Sequence, residues 1–320
     1  MTFSAKPIRI EPAFDEPEQI RAMFERYAPY RAIAAYLPQD AWFQTTTTSE
    51  AERSVTPIFR GNWAVGGKPL VEGAEVILHN KKFLEAARGL FGTSLVYPSF
   101  VVVNVVAPMP AGARHVDIPS FHGATREQYP LPFLKVMGSS GLFEAWRVVQ
   151  AGAVSWFYDG TGGSFDYWPE GPGGPMLSEH PPFGNVALMA DNDRMYHRIG
   201  PIGDPNAPSP RISASAHIQP EGNGNWAILE NGEVRVTYPN HAIRLSVVWK
   251  AEVRNRELSI ADLTLDRIMA IFTADLRNRR VDFHMPSDPF ADTAWILLLQ
   301  RTYADPTDIP GQKSGSGKSL

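Results

Sequence analysis

Apolar and polar residues alternate, or β-branched apolar residues run together, in short segments through the middle of the chain. These segments are 94–106, 154–159, 185–191, 195–199, 211–218, 225–229, 233–238 and 242–253. Successive side chains of a strand point to opposite faces of a sheet, so both patterns are typical of β-strands that contribute to a core. The chain also holds 26 glycines and 28 prolines, which favour short turns between strands.

Helix-like segments flank this region, and one lies within it. They are 15–28, 82–90, 131–149, 259–277 and 289–303. Their apolar residues recur mostly at intervals of three and four, which places them on one helix face. The pattern predicts a single, mainly β domain over residues 1–304, with its β core at about 94–255 and helices packed outside it. Residues 305–320, rich in glycine and serine towards the end, are expected to form a flexible tail.

The composition excludes several classes of function. A chain of 320 residues, 43% of them hydrophobic, can bury a full-sized core. Its net charge is −4 and the charges are mixed along the chain, so no basic block predicts a nucleic-acid partner. The chain has no cysteine, which excludes disulfides, thiolate metal sites and a cysteine nucleophile.

The first residues show no apolar signal segment, and no membrane-spanning segment follows. The longest apolar run, at 101–106, is far too short to span a bilayer. We therefore expect a cytoplasmic protein that has no membrane partner. No pattern in the sequence predicts an oligomeric state.

The strongest chemical signal comes from two histidines and an aspartate. His115 and Asp117 are two positions apart, so on a strand their side chains share one face. His197 lies on a separate predicted strand. Two imidazoles and one carboxylate are the ligands of a non-haem Fe(II) site that keeps its remaining positions open. We therefore predict that His115, Asp117 and His197 bind iron.

A second pair, Arg211 and Ser213, begins the alternating segment that follows His197. These two residues are also two positions apart, so a strand would present both on one face. A guanidinium group binds a carboxylate through two charge-assisted hydrogen bonds, and a serine hydroxyl adds a third donor. The pair is therefore a candidate site for a carboxylate that reaches out from the metal.

The order H-x-D, H, R-x-S resembles the Fe(II)/2-oxoglutarate-dependent oxygenase superfamily over about residues 94–255. The resemblance implies a double-stranded β-helix, the jelly-roll or cupin-like barrel. It implies that Fe(II) binds the three predicted ligands, that Arg211 and Ser213 hold the far carboxylate of 2-oxoglutarate, and that O₂ is the oxidant. It also implies that 2-oxoglutarate is decarboxylated to succinate while an unactivated C–H bond of a small molecule is oxidised.

Other residues carry weaker signals. Asn104 interrupts a run of valines, and a buried amide needs hydrogen-bond partners, which a bound co-substrate would supply. Aromatic residues beside a glycine-rich loop are candidates for a pocket wall, and His122 is a candidate substrate contact at its entrance. The aromatic candidates are Trp156, Tyr158, Phe165 and Trp168. For each of these residues a structural role in the core or in a loop is the alternative.

Three functions are open at this point. The first is a Fe(II)/2-oxoglutarate oxygenase, with hydroxylation as the default reaction and desaturation or cyclisation as variants. The second is a non-haem iron oxidase without 2-oxoglutarate, whose arginine and serine hold the carboxylate of an amino-acid-like substrate. The third is a non-catalytic, cupin-like module that binds a metal or a ligand. For the enzyme, the expected partner is a small molecule such as an amino acid or a natural-product intermediate.

Overall fold

The computed structural model describes residues 6–36, 55–204, 209–254 and 261–304. Their contacts divide them into two units. The first unit contains the described residues 6–36, 55–117, 149–204 and 209–254, and the second contains 118–148 and 261–304. The single domain over 1–304 stays a prediction, and the predicted tail at 305–320 lies outside the described residues.

Six α-helices occur in the part of the chain that the structure describes. They are α1 (Pro17–Arg26), α2 (Ala74–Leu78), α3 (Lys81–Phe91), α4 (Leu131–Ser140), α5 (Leu265–Asn278) and α6 (Thr293–Thr302). Helix α3 shows why its boundaries lie where they do. The Asn80 side chain accepts hydrogen bonds from the N–H groups of Lys82 and Phe83, and Gly92 ends the helix with a φ of 65°.

Fourteen β-strands belong to the described residues of the first unit. They are β1 (Ile8–Ile10), β2 (Tyr30–Ala32), β3 (Ile58–Val65), β4 (Lys68–Pro69), β5 (Leu95–Val106), β6 (Val149–Tyr158), β7 (Phe165–Trp168), β8 (Leu177–Glu179), β9 (Phe183–Ala190), β10 (Tyr196–Ile199), β11 (His217–Gly222), β12 (Asn225–Glu230), β13 (Glu233–Pro239) and β14 (Arg244–Arg254). Most of the segments predicted from alternation therefore form strands.

The strands form two antiparallel sheets. The large sheet has eleven strands in the order β1-β9-β6-β14-β5-β3-β2-β11-β12-β13, with β4 paired to β3. The small sheet has the order β10-β7-β8, and a bridge between His115 and His197 adds a further chain segment beside β10. Four central strands of the large sheet (β5, β14, β6 and β9) and four segments of the small sheet make up a double-stranded β-helix. The predicted mainly β fold with flanking helices is confirmed.

The central strands of the large sheet are covered on both faces, most completely at β6 and β9. One face packs with helices α1, α2 and α3, and the other packs against the small sheet. On β14, Val247 and Trp249 belong to the helix-covered cluster. Arg244, Ser246 and Lys250 have the alternate parity and therefore lie on the face towards the small sheet. Charged residues on an interior face need partners, because an isolated buried charge is costly.

The second unit is helical. Helices α4, α5 and α6 surround an apolar cluster that includes Phe133, Phe143, Phe272 and Trp295. These rings are buried, so the unit has its own core. Throughout the described residues, no helix is long and apolar enough to cross a membrane.

Two predicted elements differ from the structure. The segment 211–218 is not a strand, since β11 begins at His217, and the hydroxyls of Ser213 and Ser215 share a hydrogen bond of 2.8 Å in a turn. Local hydrogen bonds of serine compete with strand pairing, and alternation alone does not reveal them. The helix predicted at 131–149, with an interruption at 138–141, does not resume as an α-helix after Ser140: Gly141 has a φ of 69°, and β6 begins at Val149.

The predicted start of a helix at Ser259 lies outside the described residues. Within them, α5 begins at Leu265, and the Thr264 side chain accepts a hydrogen bond from the N–H of Arg267. A threonine in this position caps a helix in the same way as a serine. The helical pattern predicted for the residues that follow is thus present.

Replacing Asn80 by alanine should lower the free energy of unfolding by about 1 kcal/mol, because two N–H groups of α3 lose their acceptor. The Asn80 amide also donates to the Ala13 carbonyl, which adds to the loss. Chemical denaturation followed by circular dichroism measures this change. The control is Lys81→Ala at the neighbouring exposed position, which should have a much smaller effect. Equal effects of the two substitutions would contradict the role of Asn80 as a cap.

Candidate metal centre

Backbone pairing brings the two predicted histidine ligands together. The N–H of His115 donates to the carbonyl of His197 at 3.0 Å, and the N–H of His197 donates to the carbonyl of His115 at 2.8 Å. The two residues are therefore directly opposite each other across the strand pair. Their imidazole rings are 4.5 Å apart between centroids. Residues far apart in sequence thus present two nitrogen ligands at one place.

Asp117 completes the group because its strand-like segment continues past His115. Its N–H donates to the carbonyl of Asn192 at 2.9 Å, which fixes the backbone at this point. One carboxylate oxygen, Oδ1, lies 3.6 Å from His197 Nε2. Ligand atoms of His115, Asp117 and His197 all lie within 4.8 Å of one another. At that spacing one ion can contact all three, as predicted from the sequence.

Backbone carbonyls orient both imidazole rings. His115 Nδ1 is 2.9 Å from the carbonyl oxygen of Ala113, and His197 Nδ1 is 3.0 Å from that of Met195. A neutral ring with its proton on Nδ1 donates this bond and leaves Nε2 as a free lone pair. Such hydrogen bonds to the second nitrogen are the usual support of metal-binding histidines. Both side chains are therefore prepared to bind a metal through Nε2.

The charges around the triad favour its metal-binding forms. Burial, opposed in part by the charge of Asp117, lowers the pKa of His197 to about 4, so its ring is neutral at pH 7. Burial raises the pKa of Asp117, but opposing interactions, of which the charge of Lys250 is the largest, outweigh burial and hold that pKa well below its usual value. Asp117 is therefore ionised. His197 is buried whereas His115 is exposed, so the group is open to solvent on one side.

The predicted carboxylate-binding pair is not brought to the triad. Arg211 and Ser213 are both exposed, and the intervening Ile212 pairs with Val55. The N–H of Ser213 donates to the carboxylate of Glu230, at 2.8 Å. These contacts lie near β11 and β12 in the large sheet. Three strands, β5, β3 and β2, separate β11 from β14. The structure therefore places Arg211 and Ser213 apart from the triad, and their role in binding a carboxylate stays a prediction.

A second R-x-S sequence, at Arg244 and Ser246, lies inside the barrel. Arg244 is 1% exposed and Ser246 2% exposed. Arg244 Nε donates to the carbonyl of Gly163 at 2.8 Å, and its guanidinium carbon is 5.8 Å from the ring centroids of both Trp156 and Phe183. Burial lowers the pKa of Arg244 to about 9, so the group is still a cation at pH 7. Sequence reasoning missed this pair although its spacing equals that of Arg211 and Ser213.

Two buried donors in this region have no partner within the described residues. They are Arg244 Nη2 and Trp156 Nε1, whose side chains are in contact. A buried donor without an acceptor costs free energy, and a buried cation costs more. A carboxylate would supply acceptors to both atoms and a charge opposite to that of Arg244. The donor set therefore fits the far carboxylate of a 2-oxoglutarate molecule.

Aromatic rings connect this cation with the triad. The Phe165 ring is 5.4 Å from the His197 ring and 5.1 Å from the Trp156 ring, between centroids. The Trp156 ring in turn contacts Arg244. Tyr158 is buried in the same cluster and donates to the carbonyl of Thr161. Phe165 and Trp156 thus lie between the predicted metal and the cation, and Tyr158 belongs to the same buried cluster.

The remaining candidates have other surroundings. Trp168 is on the opposite face of β7, with the guanidinium carbons of Arg114 and Arg198 at 5.0 and 5.6 Å from its ring centroid. His122 belongs to the second unit, where its N–H donates to the Trp146 carbonyl. Both residues stay predictions as substrate contacts.

Asn104 and Lys250 lie on the interior face, and Lys250 was not predicted from the sequence. Asn104 pairs in register with Ser246 on β14, and its Oδ1 accepts a hydrogen bond of 3.1 Å from Arg60 Nε. Lys250 lies farther along β14, where its Nζ contacts the carboxylates of Asp117 and Asp193 at 2.8 and 3.1 Å. The available sequence signal was a lysine directly after the apolar run 247–249. The role of Asn104 in binding a co-substrate stays a prediction.

No protein-family profile matches the chain, and no match was found among curated proteins. Solved structures similar to it include a 2OG-Fe(II) oxygenase family oxidoreductase from Burkholderia pseudomallei, with 13% identity and a TM-score of 0.40 over 78% of this chain and 85% of that one. A prolyl-4-hydroxylase from Pseudomonas putida has 12% identity and a TM-score of 0.41 over 78% and 94% of the two chains. HygX from Streptomyces hygroscopicus, solved with nickel, 2-oxoglutarate and hygromycin B, has 11% identity and a TM-score of 0.38 over 82% and 89%.

The substitution His197→Ala should weaken binding of a divalent ion by more than about 100-fold, which exceeds the usual cost of losing an outer partner of a ligand. It removes one of three ligands and leaves the backbone pairing with His115 in place. Anaerobic calorimetric titration with Mn(II) measures the dissociation constant. His217→Ala, on β11 in another part of the large sheet, should bind Mn(II) like the wild type. Unchanged binding by His197→Ala would exclude this site.

Proposed function

We propose that the protein is a non-haem Fe(II)/2-oxoglutarate-dependent oxygenase that oxidises a C–H bond of a small molecule. The observation that carries the proposal is the meeting of His115, Asp117 and His197 within 4.8 Å on a double-stranded β-helix. A set of two histidines and one carboxylate with open positions favours non-haem iron over a closed structural site. The buried Arg244 supplies the second half of the argument, because it offers a cation to a dicarboxylate.

The residues have separate tasks in this reaction. His115, Asp117 and His197 would hold Fe(II), which supplies the joint reaction of 2-oxoglutarate and O₂ that no side chain can perform. Arg244 and Trp156 would bind the far carboxylate of 2-oxoglutarate through their unpartnered N–H groups. Ser246, two positions after Arg244, offers a hydroxyl on the same face. The two ends of the co-substrate are thus held by different parts of the barrel.

The interior of the barrel would keep water away from the co-substrate. Phe165 and Trp156 form an apolar wall between His197 and Arg244. Charge-assisted hydrogen bonds are stronger where water is excluded, so the buried Arg244 binds a carboxylate more firmly than an exposed arginine does. On the other side, the exposed His115 leaves the metal accessible to the substrate. This asymmetry favours a substrate that approaches from solvent.

The overall reaction balances with one substrate C–H bond. One oxygen atom of O₂ enters succinate, the other enters the hydroxylated product, and CO₂ leaves from 2-oxoglutarate. Desaturation and cyclisation are variants in which the second oxygen atom leaves as water. The substrate is proposed to be a small molecule, such as an amino acid or a natural-product intermediate, because the chain lacks a basic surface block for nucleic acid.

Replacing Arg244 by methionine should raise the KM for 2-oxoglutarate at least tenfold, since loss of a buried charge-assisted contact costs about 1.5–3 kcal/mol. Succinate formation from 2-oxoglutarate, with and without added substrate candidates, measures the change. The matched control is Arg211→Met, which should leave the KM unchanged because Arg211 is exposed and distant along the sheet order. Circular dichroism and Mn(II) binding establish that both variants are folded.

The other outcomes of this experiment separate the remaining functions. If Arg211→Met raises the KM for 2-oxoglutarate and Arg244→Met does not, the carboxylate binds to Arg211 and Ser213, as first predicted from the sequence. Metal-dependent O₂ consumption without succinate would favour an iron oxidase that does not use 2-oxoglutarate. Metal binding with no O₂ consumption under any condition would favour a non-catalytic cupin-like module.

A further inference from the structure

A buried group of charges lies beside the metal centre. Lys250 Nζ is 2.8 Å from Asp117 Oδ2 and 3.1 Å from Asp193 Oδ1. The Lys250 side chain is 12% exposed and that of Asp193 is 2% exposed, so water and salt screen these contacts weakly. The other oxygen of Asp117, Oδ1, is the one that lies 3.6 Å from His197 Nε2. The two oxygens of this carboxylate therefore have different partners.

We propose that Lys250 is a positioning residue that reserves Oδ2 of Asp117 and so leaves a single oxygen for the metal. Carboxylates bind metal ions through one oxygen or through both. An ammonium group on Oδ2 prevents the second mode and limits the protein to one ligand atom from each of His115, Asp117 and His197. The positions that remain are then available to the co-substrate and O₂. The inference rests on the proposed function only for the identity of the ion as Fe(II).

The sheet fixes the position of Lys250. It lies on the central strand β14, paired in register with Phe100 on β5 and Gly152 on β6. The Asn192 side chain packs closely over Gly152, since a Cβ at this position would lie 3.2 Å from Asn192 Nδ2. The turn at 191–194 therefore lies close to β6 at the position that pairs with Lys250. A lysine held between two strands and opposite a glycine has its side chain directed by the backbone.

The same turn fixes the partners of Lys250. The Asp191 carbonyl accepts from the N–H groups of Arg194 and Met195 at 3.1 and 2.8 Å, which closes the turn. The Asn192 carbonyl accepts from the N–H of Asp117 at 2.9 Å. The next residue, Asp193, supplies the second carboxylate to Lys250. One short turn thus holds both the metal ligand and the counter-ion of the lysine.

Stability does not account for a lysine at this position. Removing charges from water is costly, and replacing a whole buried ion pair by apolar residues is often neutral or stabilising. Two residues earlier, Val248 packs into the interior cluster, so an apolar residue at 250 would continue that surface. The retained charge instead contacts the carboxylate that binds the metal. That contact is the reason to assign Lys250 a role in the coordination of the ion.

The double variant Lys250→Met with Asp193→Asn tests the proposal in the full chain. It removes one positive and one negative charge together, so neither is left buried without a partner. Mn(II) bound to the wild type should carry about three exchangeable waters, since three of six octahedral positions are taken by protein. We expect about two waters in the double variant, because Asp117 then binds through both oxygens. Oxygen-17 relaxation of water at a fixed pH measures this number.

Two further variants serve as controls. Asp193→Asn alone keeps the contact of Lys250 with Asp117 and should keep about three waters, and Lys250→Arg, which retains a cationic donor, should do the same. Three waters in the double variant would overturn the proposal. If the double variant does not fold, the number of waters on Mn(II) bound to Lys250→Met tests the proposal instead. A wild type that binds Mn(II) with three waters but makes no succinate would contradict the proposed function and leave this inference intact.

Discussion

The candidate site depends on two backbone hydrogen bonds between His115 and His197. These bonds place two residues from distant parts of the chain opposite each other, and they do so without any contribution from the imidazole rings. The rings are therefore free to use one nitrogen for a backbone carbonyl and to keep the other for a metal. Asp117 follows at the next position on the same face, so one strand pairing positions all three ligands.

The interior face of β14 carries two buried cations with different surroundings. Lys250 is neutralised within the protein by the carboxylates of Asp117 and Asp193. Arg244 has a carbonyl and two aromatic rings as neighbours, while its Nη2 has no acceptor in the described part of the chain. The described part of the protein thus supplies carboxylates to Lys250, whereas the proposed counter-charge of Arg244 is that of a bound carboxylate. This difference is why Lys250 is assigned to positioning and Arg244 to binding.

The patterns along the chain predicted the fold well where burial decides the structure. The strand β5 and the helix α3 lie close to their predicted limits, because apolar periodicity and the caps Asn80 and Gly92 are local features. The segment at 211–218 alternates in the same way but forms a turn, because the hydroxyls of Ser213 and Ser215 bond to each other. Alternation reports which positions are apolar, and it does not report whether a neighbouring strand is present.

Sequence alone indicated the chemistry of the candidate metal site, since His115, Asp117 and the separate His197 carry it in their residue types and spacing. It did not determine which of two R-x-S pairs enters the barrel. Arg211 and Arg244 stand in the same local pattern, and only the order of strands in the sheet puts Arg244 inside. The contact of Lys250 with Asp117 was also decided by the tertiary structure. Both outcomes depend on pairing between distant strands, which the sequence of a single strand does not encode.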